Sequence, residues 1–278
     1  MNSLLNEVLT AHGGLKRWNE FNSVEATIVT GGTLWGMKGL VQDPAPRRMT
    51  VSLHDVHASV RPFGGPNQRT YFTPNRIAIE TDDCNVVAER QDPRASFEGH
   101  GRTTPWDPLQ RAYFNGYALW TYLTTPFLLN LPGVKLEEMR PWVEGDQVWR
   151  VLRATFPSHI PTHSTVQDFY FGADFLLRRH DYTVDIADGL TAAQLVNDYT
   201  EVQGLGLPTK RRAYYRGRDG RPTDTLLVSI DLSDVHFSRG KDSVSIRADA
   251  SNDALSIQAD TDPPRGPHQS DIKLETAL

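Results

Sequence analysis

The sequence has little cysteine, no long apolar run and no excess of basic residues. Cys84 is the single cysteine among 278 residues, so no disulfide can form within the chain. Asp82 and Asp83 precede it, and their negative charges disfavour the thiolate that a reactive cysteine needs. No stretch of 18 apolar residues occurs, so we predict no membrane span.

The start of the chain and its charge narrow the class further. No basic residue precedes the first apolar positions, and Glu7 and His12 interrupt any apolar run, so no secretory signal is predicted and we expect a cytoplasmic protein. With 29 basic and 34 acidic residues the net charge is −5, and the two signs are interspersed. Nucleic acid is therefore not an expected partner. Nothing in the sequence indicates an oligomeric state.

The length and composition are those of a folded protein with one large β domain. Hydrophobic residues make up 38% of the chain and charged residues 23%. We predict one domain over residues 1–259 and a loosely ordered tail, rich in proline, over residues 260–278. A last hairpin is expected from Ser243–Ala248 and Ala254–Ala259.

Two helical regions are indicated. The first twenty residues carry Leu4, Leu5, Val8 and Leu9 on one helical face, and Gly13 with its neighbour ends that helix. The clearest helix runs over residues 108–124. It begins with Asp107 as N-cap, Pro108 at N1 and Gln110 at N3, which resembles a capping box, and Pro126 stops it. Its aromatic residues predict that it packs against a sheet.

The rest of the chain has the pattern of β-strands separated by turns. Between residues 24 and 91, strands are expected within 33–41 and 48–60 and over 76–81. From residue 134 to 237 the pattern is an antiparallel meander with turns such as Asp188-Gly189 and Asp219-Gly220. Its predicted strands are Lys135–Val143, Val148–Phe156, Thr165–Phe171, Phe175–Ile186, Ala192–Val202, Pro208–Arg216 and Thr225–Phe237.

Two of these strands carry ionisable residues on an otherwise apolar face. Alternation places Arg178 and His180 with Leu176, Tyr182 and Val184. In the last strand it places Asp234 and His236 with Leu226, Val228, Ile230 and Leu232. Either these faces line a wet cavity, with the ionisable groups at its rim, or the sheet leaves the core there.

Several segments resemble the LolA-like lipoprotein-carrier family. The resemblance covers roughly residues 5–238. The segments are Ala11-His12-Gly13-Gly14 with Trp18 and Ser23-Val24, the helix from Trp106-Asp107-Pro108 to Thr125-Pro126-Phe127, Leu177-Arg178-Arg179-His180-Asp181-Tyr182, and Gly206-Leu207-Pro208-Thr209-Lys210-Arg211. It implies a mainly β (α+β) fold: a large curved antiparallel sheet, or half-barrel, with helices plugging the concave face. That cavity would hold acyl chains or other lipophilic molecules. Family members are exported, whereas this sequence shows no signal.

The leading hypothesis is that the concave cavity binds a lipophilic small molecule without a cofactor. Arg178 or His180 would supply a polar contact. The apolar contacts would come from Trp35, Trp106, Tyr113, Tyr117, Trp120 and Tyr122.

Two alternatives remain open. The first is a cofactor-independent isomerase, cyclase or hydrolase in which His180, or His236 with Asp234, moves a proton. The second is a structural or partner-binding protein whose concavity is filled by its own side chains. No metal site is predicted, since the pairs His54 with His57 and His159 with His163 lack further ligands. The basic cluster Lys210-Arg211-Arg212 is expected to be a solvated strand edge.

Overall fold

A computed structural model describes residues 3–240 of the chain. In this part, thirteen strands form one antiparallel sheet that is curved and not closed into a barrel, which confirms the predicted fold class. The expected hairpin over Ser243–Ala248 and Ala254–Ala259 and the tail over residues 260–278 lie outside the described residues.

The elements follow one another in chain order as strands interrupted by a few helices. The helices are α1 (Ser3–Ala11), α2 (Gly14–Trp18), α3 (Leu34–Met37) and α4 (Pro108–Thr124), with short 3-10 helices at Pro93–Phe97, Phe127–Asn130 and Asp185–Ala187. The first strands are β1 (Ser23–Gly31), β2 (Arg47–Ser52), β3 (Ala58–Arg61), β4 (Gln68–Thr73), β5 (Arg76–Thr81) and β6 (Val86–Gln91). The later strands are β7 (Lys135–Glu144), β8 (Gln147–Thr155), β9 (Val166–Phe171), β10 (Leu177–Val184), β11 (Leu190–Val202), β12 (Leu205–Arg216) and β13 (Pro222–Ser238).

The sheet consists of two meanders joined at their first and last strands. Its order is β6-β5-β4-β3-β2-β1-β13-β12-β11-β10-β9-β8-β7. Neighbours in sequence pair as hairpins, and the long-range pairing of β1 with β13, with Val24 opposite Phe237, joins the halves. Helix α4 lies in the connection between the two edge strands β6 and β7. We call the face that packs on α4 the inner face.

Helix α4 begins and ends where the sequence predicts. The Asp107 side chain accepts a hydrogen bond from the Gln110 backbone N–H at 2.8 Å, and Gln110 Oε1 accepts one from the Asp107 N–H at 3.0 Å. This is the predicted capping box. Thr125 has an extended backbone and ends the helix before Pro126. The helix packs mainly against β2–β6.

The region between β1 and β3 differs from the expectation of strands over residues 33–41 and 48–60. Leu34 and Trp35 are both buried, although an alternating strand would turn one of them away from the core. A helical turn buries both, and α3 forms there with a bond from the Met37 N–H to the Thr33 carbonyl. Residues 48–60 form two strands, β2 and β3, instead of one.

The core is one continuous apolar cluster on the inner face. It joins α1, α2 and α4 to strands from both halves of the sheet. A smaller cluster around Trp149, Val151 and Tyr170 covers β8 and β9 elsewhere. There Asp181 accepts hydrogen bonds from Arg179 and Arg216, and Arg179 lies 4.9 Å from the ring centroids of both Trp142 and Tyr170. Strand β10 is therefore covered on both faces.

Gly116 sets how closely α4 can approach the sheet. A Cβ atom at this position would overlap the Phe72 ring of β4. We therefore predict that Gly116→Ala lowers the free energy of unfolding by about 1–3 kcal/mol, because overpacking outweighs the gain in helix propensity. Urea denaturation measures the change. Gly36→Ala in α3 is the control, since a Cβ atom added there would meet nothing within 4 Å; equal effects of both substitutions would contradict the prediction.

Candidate functional site

The aromatic residues predicted to bind a ligand are all buried, but most of them contact the protein itself. Trp106 packs on Phe97 and Phe114, and Tyr113 on Phe72 and Phe97. The indole N–H of Trp120 donates to the Asp55 carbonyl at 3.0 Å. Helix α4 thus fills much of the inner face, and the space that remains is narrower than an empty concavity.

One apolar cleft remains between α4 and the inner face. It has about 490 Å³ of empty space, including the part open to solvent. Trp35 and Tyr122 are the predicted ligand-binding residues that line it. The other lining residues are Ile28, Thr30, Ala45, Arg47, Val60, Phe114, Asn115, Ala118, Leu119, Val228 and Ile230. We call this space the α4 cleft.

Two further clefts lie around the ends of α4. One of about 400 Å³ is lined by Trp120 together with Trp18, His54 and Phe127. The other, of about 870 Å³, is lined by Tyr113 and by the loop from Phe156 to Thr165, together with the charged residues Asp92, Arg94 and Asp185. This third cleft is larger than the α4 cleft. The α4 cleft, however, has the apolar lining that is expected of a site for a lipophilic ligand.

A buried hydrogen-bond cluster adjoins the α4 cleft through Tyr122, which lines the cleft. The Tyr122 hydroxyl lies 2.6 Å from His163 Nε2 and 2.8 Å from the Tyr182 hydroxyl, and the Tyr117 hydroxyl lies 3.2 Å from His163 Nδ1. The His163 ring stacks on Tyr182 with centroids 4.0 Å apart. Burial, and then the charge of Arg94, lowers the pKa of His163 to about 3. The imidazole is therefore neutral and bonds one tyrosine as donor and the other as acceptor.

His180 lies next to this cluster and is completely buried. Its Nε2 is 2.6 Å from Gln167 Oε1, and its ring stacks on Phe169 at 4.2 Å. Burial, followed by His163 and Arg211, holds its pKa well below the usual value. Its Nδ1 is shielded from solvent and has no hydrogen-bond partner in residues 3–240. The contacts of His180 are thus an amide and aromatic rings, with no carboxylate among them.

The structure does not bring Asp234 and His236 to His180. Asp234 has a left-handed backbone, with φ of 51°, and the pairing of β1 with β13 shifts there, which is a β-bulge. The bulge changes the alternation, so that Phe237 is buried while Asp234 and His236 are exposed. Two strands, β11 and β12, separate β13 from β10. The three residues therefore form no acid–base pair in this arrangement.

Arg178 is half-buried at the start of β10, where its guanidinium pairs with Asp174 at 2.5 Å. The pair spans the turn that joins β9 to β10. The sequence placed Arg178 on the face of His180, but β10 has an irregular register between Leu177 and Arg179. Its contact with a carboxylate four residues earlier stabilises this turn.

Arg211 is buried, which differs from the expectation drawn from the sequence. We expected the cluster at residues 210–212 to be a solvated edge, but the Arg211 side chain points inward and is 2% exposed. It donates to Gln194 Oε1 at 3.0 Å and to the Tyr122 carbonyl at 2.7 Å, and it lies 5.0 Å from the Tyr122 ring centroid. Burial lowers its pKa. Period-2 alternation was the available signal, because it separates Arg211 from Lys210 and Arg212.

The last turn of α4 supplies partial compensation for this charge. The Tyr122 carbonyl belongs to that turn, where carbonyls lack partners within the helix and carry the negative end of the helix dipole. Tyrosines are the groups whose charge acts on Arg211, with no carboxylate among them, whereas Arg179 pairs with Asp181 at 2.6 Å. Arg211 therefore connects β12 to α4 without an ion pair inside residues 3–240.

Comparison with solved structures identifies the fold. A DUF1329 family protein from Desulfovibrio piger aligns with 84% of this chain and 92% of its own, at 10% identity and a TM-score of 0.50. A LolA superfamily protein from Nitrosomonas europaea aligns with 83% and 90%, at 12% identity and a TM-score of 0.47. The fold shared with the Desulfovibrio piger protein is a curved antiparallel half-barrel. At these identities the likeness concerns the fold alone. Neither family models nor curated proteins gave a match.

Helix length and metal-ligand geometry give two further findings for residues 3–240. No helix in this part is both long and apolar enough to cross a bilayer. No group of three or more histidine, cysteine, aspartate or glutamate side chains in the same part is placed to hold a metal ion. His163, one member of the histidine pairs considered above, is instead buried among tyrosines, and His159 is exposed.

The neutral buried histidines predict a loss of stability in acid. Their folded pKa values lie below the unfolded value of about 6.5, so below that pH the unfolded chain binds protons that the folded chain does not. For His163, stability should fall by about 1.4 kcal/mol per pH unit from below pH 6.5 down to its folded pKa of about 3. Urea denaturation at several pH values measures this slope. His163→Asn should make it shallower, whereas His159→Asn should not; equal slopes in both variants would contradict the assignment.

Arg179 and Arg211 are both buried, but we predict that loss of their charges changes the free energy of unfolding by different amounts. Arg211→Met should change the free energy of unfolding by no more than about 1 kcal/mol, because no carboxylate is left behind and the desolvated charge is removed. Arg179→Met should cost about 2–4 kcal/mol, because Asp181 stays buried with fewer donors. Chemical denaturation of both variants tests this contrast. If Arg211→Met lowers the free energy of unfolding by more than Arg179→Met does, the two hydrogen bonds of Arg211 contribute more than the burial of its charge costs.

Proposed function

We propose that the protein binds a lipophilic small molecule whose apolar part occupies the α4 cleft. The observation that carries this proposal is the cleft itself, which is open to solvent and lined mostly by apolar side chains. Apolar lining with a few placed polar groups, here Thr30, Arg47 and Asn115, is the usual character of a small-molecule site. The resemblance to LolA-like carriers implies the same class of ligand.

The energetics favour an extended apolar group. Each methylene removed from water contributes about 0.8 kcal/mol, so eight methylenes contribute about 6 kcal/mol before the cost of association is subtracted. Ile28, Leu119 and Ile230 are buried aliphatic side chains that such a chain would contact. Trp35 and Tyr122, which also line the cleft, would add aromatic surface to the contact.

Filling the cleft should weaken the binding of an apolar probe. Val228 is a half-buried residue of β13 that lines the α4 cleft, and Val228→Phe would occupy part of the space. We expect the affinity for 1-N-phenylnaphthylamine to fall at least about tenfold, which corresponds to 1.4 kcal/mol of steric cost. Fluorescence titration measures the affinity, and native mass spectrometry of the purified protein identifies any lipid that is retained.

Val166→Phe is the matched control. Val166 is an exposed residue of β9 and does not line the α4 cleft, so this substitution should leave the affinity within about twofold of the unmodified protein. Circular dichroism confirms that both variants are folded. If the probe binds equally well to Val228→Phe, or if the unmodified protein binds neither the probe nor any lipid, the α4 cleft is not a lipophile site.

A further inference from the structure

The end of the α4 cleft that opens to solvent is rich in positive charge. Ala45, which is exposed, and Asn115, which is half-buried, mark the part of the lining that reaches water, and the buried Arg47 also lines the cleft. Arg111, in the first turns of α4, places its guanidinium 4.9 Å from the ring centroid of Trp35, another lining residue. We call the group Arg47, Arg111, Trp35 and Asn115 the cleft mouth.

The guanidinium of Arg111 has unused hydrogen-bond donors. Its Nη1 donates to the Val41 carbonyl at 3.3 Å, whereas Nε and Nη2 are shielded from solvent and have no partner in residues 3–240. Stacking on Trp35 occupies a face of the guanidinium and leaves the donors in its plane unpaired. Trp35 Nε1 is a third buried N–H group without a partner in the same part of the chain.

The charges around Arg111 do not balance. Asp43 is the acidic neighbour, and its carboxylate pairs with Arg47 at 2.9 Å, so two guanidinium groups share one carboxylate. Burial and then the charge of Arg47 lower the pKa of Arg111, although an arginine stays protonated. Arg90, also half-buried near the start of α4, instead has a carboxylate of its own in Asp107 at 2.8 Å.

We propose that the cleft mouth binds an anionic group, so that the ligand is an amphiphile with a carboxylate, sulfate or phosphate head and an apolar tail. This inference rests on the proposed function and defines the chemistry of the ligand's polar end. A planar guanidinium with two free N–H groups suits such an anion, because it can donate both bonds to one head group. The tail would then extend from Trp35 along the cleft toward Tyr122.

Two ligands with the same chain and different heads test the inference. Decanoate and 1-decanol are titrated into the full-length protein at about pH 8, where the carboxylate is ionised, with tryptophan fluorescence and calorimetry as readouts. We expect decanoate to bind about tenfold or more tightly than decanol, as a charge-assisted hydrogen bond predicts. Arg111→Met should remove this preference and leave decanol binding within about twofold, because its unbranched chain still covers Trp35.

Two further variants control for loss of charge and loss of fold. Arg111→Lys retains the charge without the planar pair of donors and should retain part of the preference. Arg48→Met removes an exposed positive charge next to Arg47, where Arg48 pairs with Glu25, and should retain the full preference. Melting temperatures show that each variant is folded.

The outcomes separate the inference from the proposed function. Equal affinities for decanoate and decanol, or a preference that survives in folded Arg111→Met, would overturn the anionic head group and leave the proposed function standing. If neither ligand binds, both fail. A fluorescence change with inorganic phosphate alone that matches the change with decanoate would identify a site for free anions and overturn the amphiphile.

Discussion

The seating of α4 on the inner face of the sheet is the constraint on which the other features depend. A curved sheet that does not close leaves its inner face to be covered, and in the described residues α4 is the longest helix available for it. Its aromatic side chains remove that face from water, and Gly116 lets the helix approach β4. The α4 cleft is the part of the inner face that the side chains of α4 leave uncovered. The packing of the helix therefore defines the candidate site.

Each end of α4 is fixed by different chemistry. Asp107 and Gln110 satisfy backbone donors at its start, and Arg211 bonds a carbonyl of its last turn. Between them, Tyr122 connects the helix to His163 and Tyr182 of the late half of the sheet. These polar contacts are directional, and those of Arg211 and Tyr122 are buried, so they fix the position of α4 more specifically than apolar packing does.

Local patterns made much of the fold predictable. The cap at Asp107, the prolines at residues 108 and 126 and the turns of the late meander act over a few residues, and so α4 and most strands follow from them. The candidate site was less predictable. Trp35 and Tyr122 line the cleft, whereas Trp106 and Trp120 contact other residues of the protein. A periodic pattern shows that a side chain is buried, but it does not show whether a ligand or the protein itself covers that side chain.

The sequence by itself determined the helix at residues 108–124, the antiparallel β character and, through its resemblance, the half-barrel. Tertiary structure alone decided which ionisable side chains lose contact with water. The bulge at Asp234 turned His236 outward, and Arg211 is buried where its guanidinium donates to the last turn of α4. The cleft mouth joins residues from α3, β2 and α4, and such a grouping arises only when distant segments are brought together by folding, since neither spacing nor propensity encodes the distance between them.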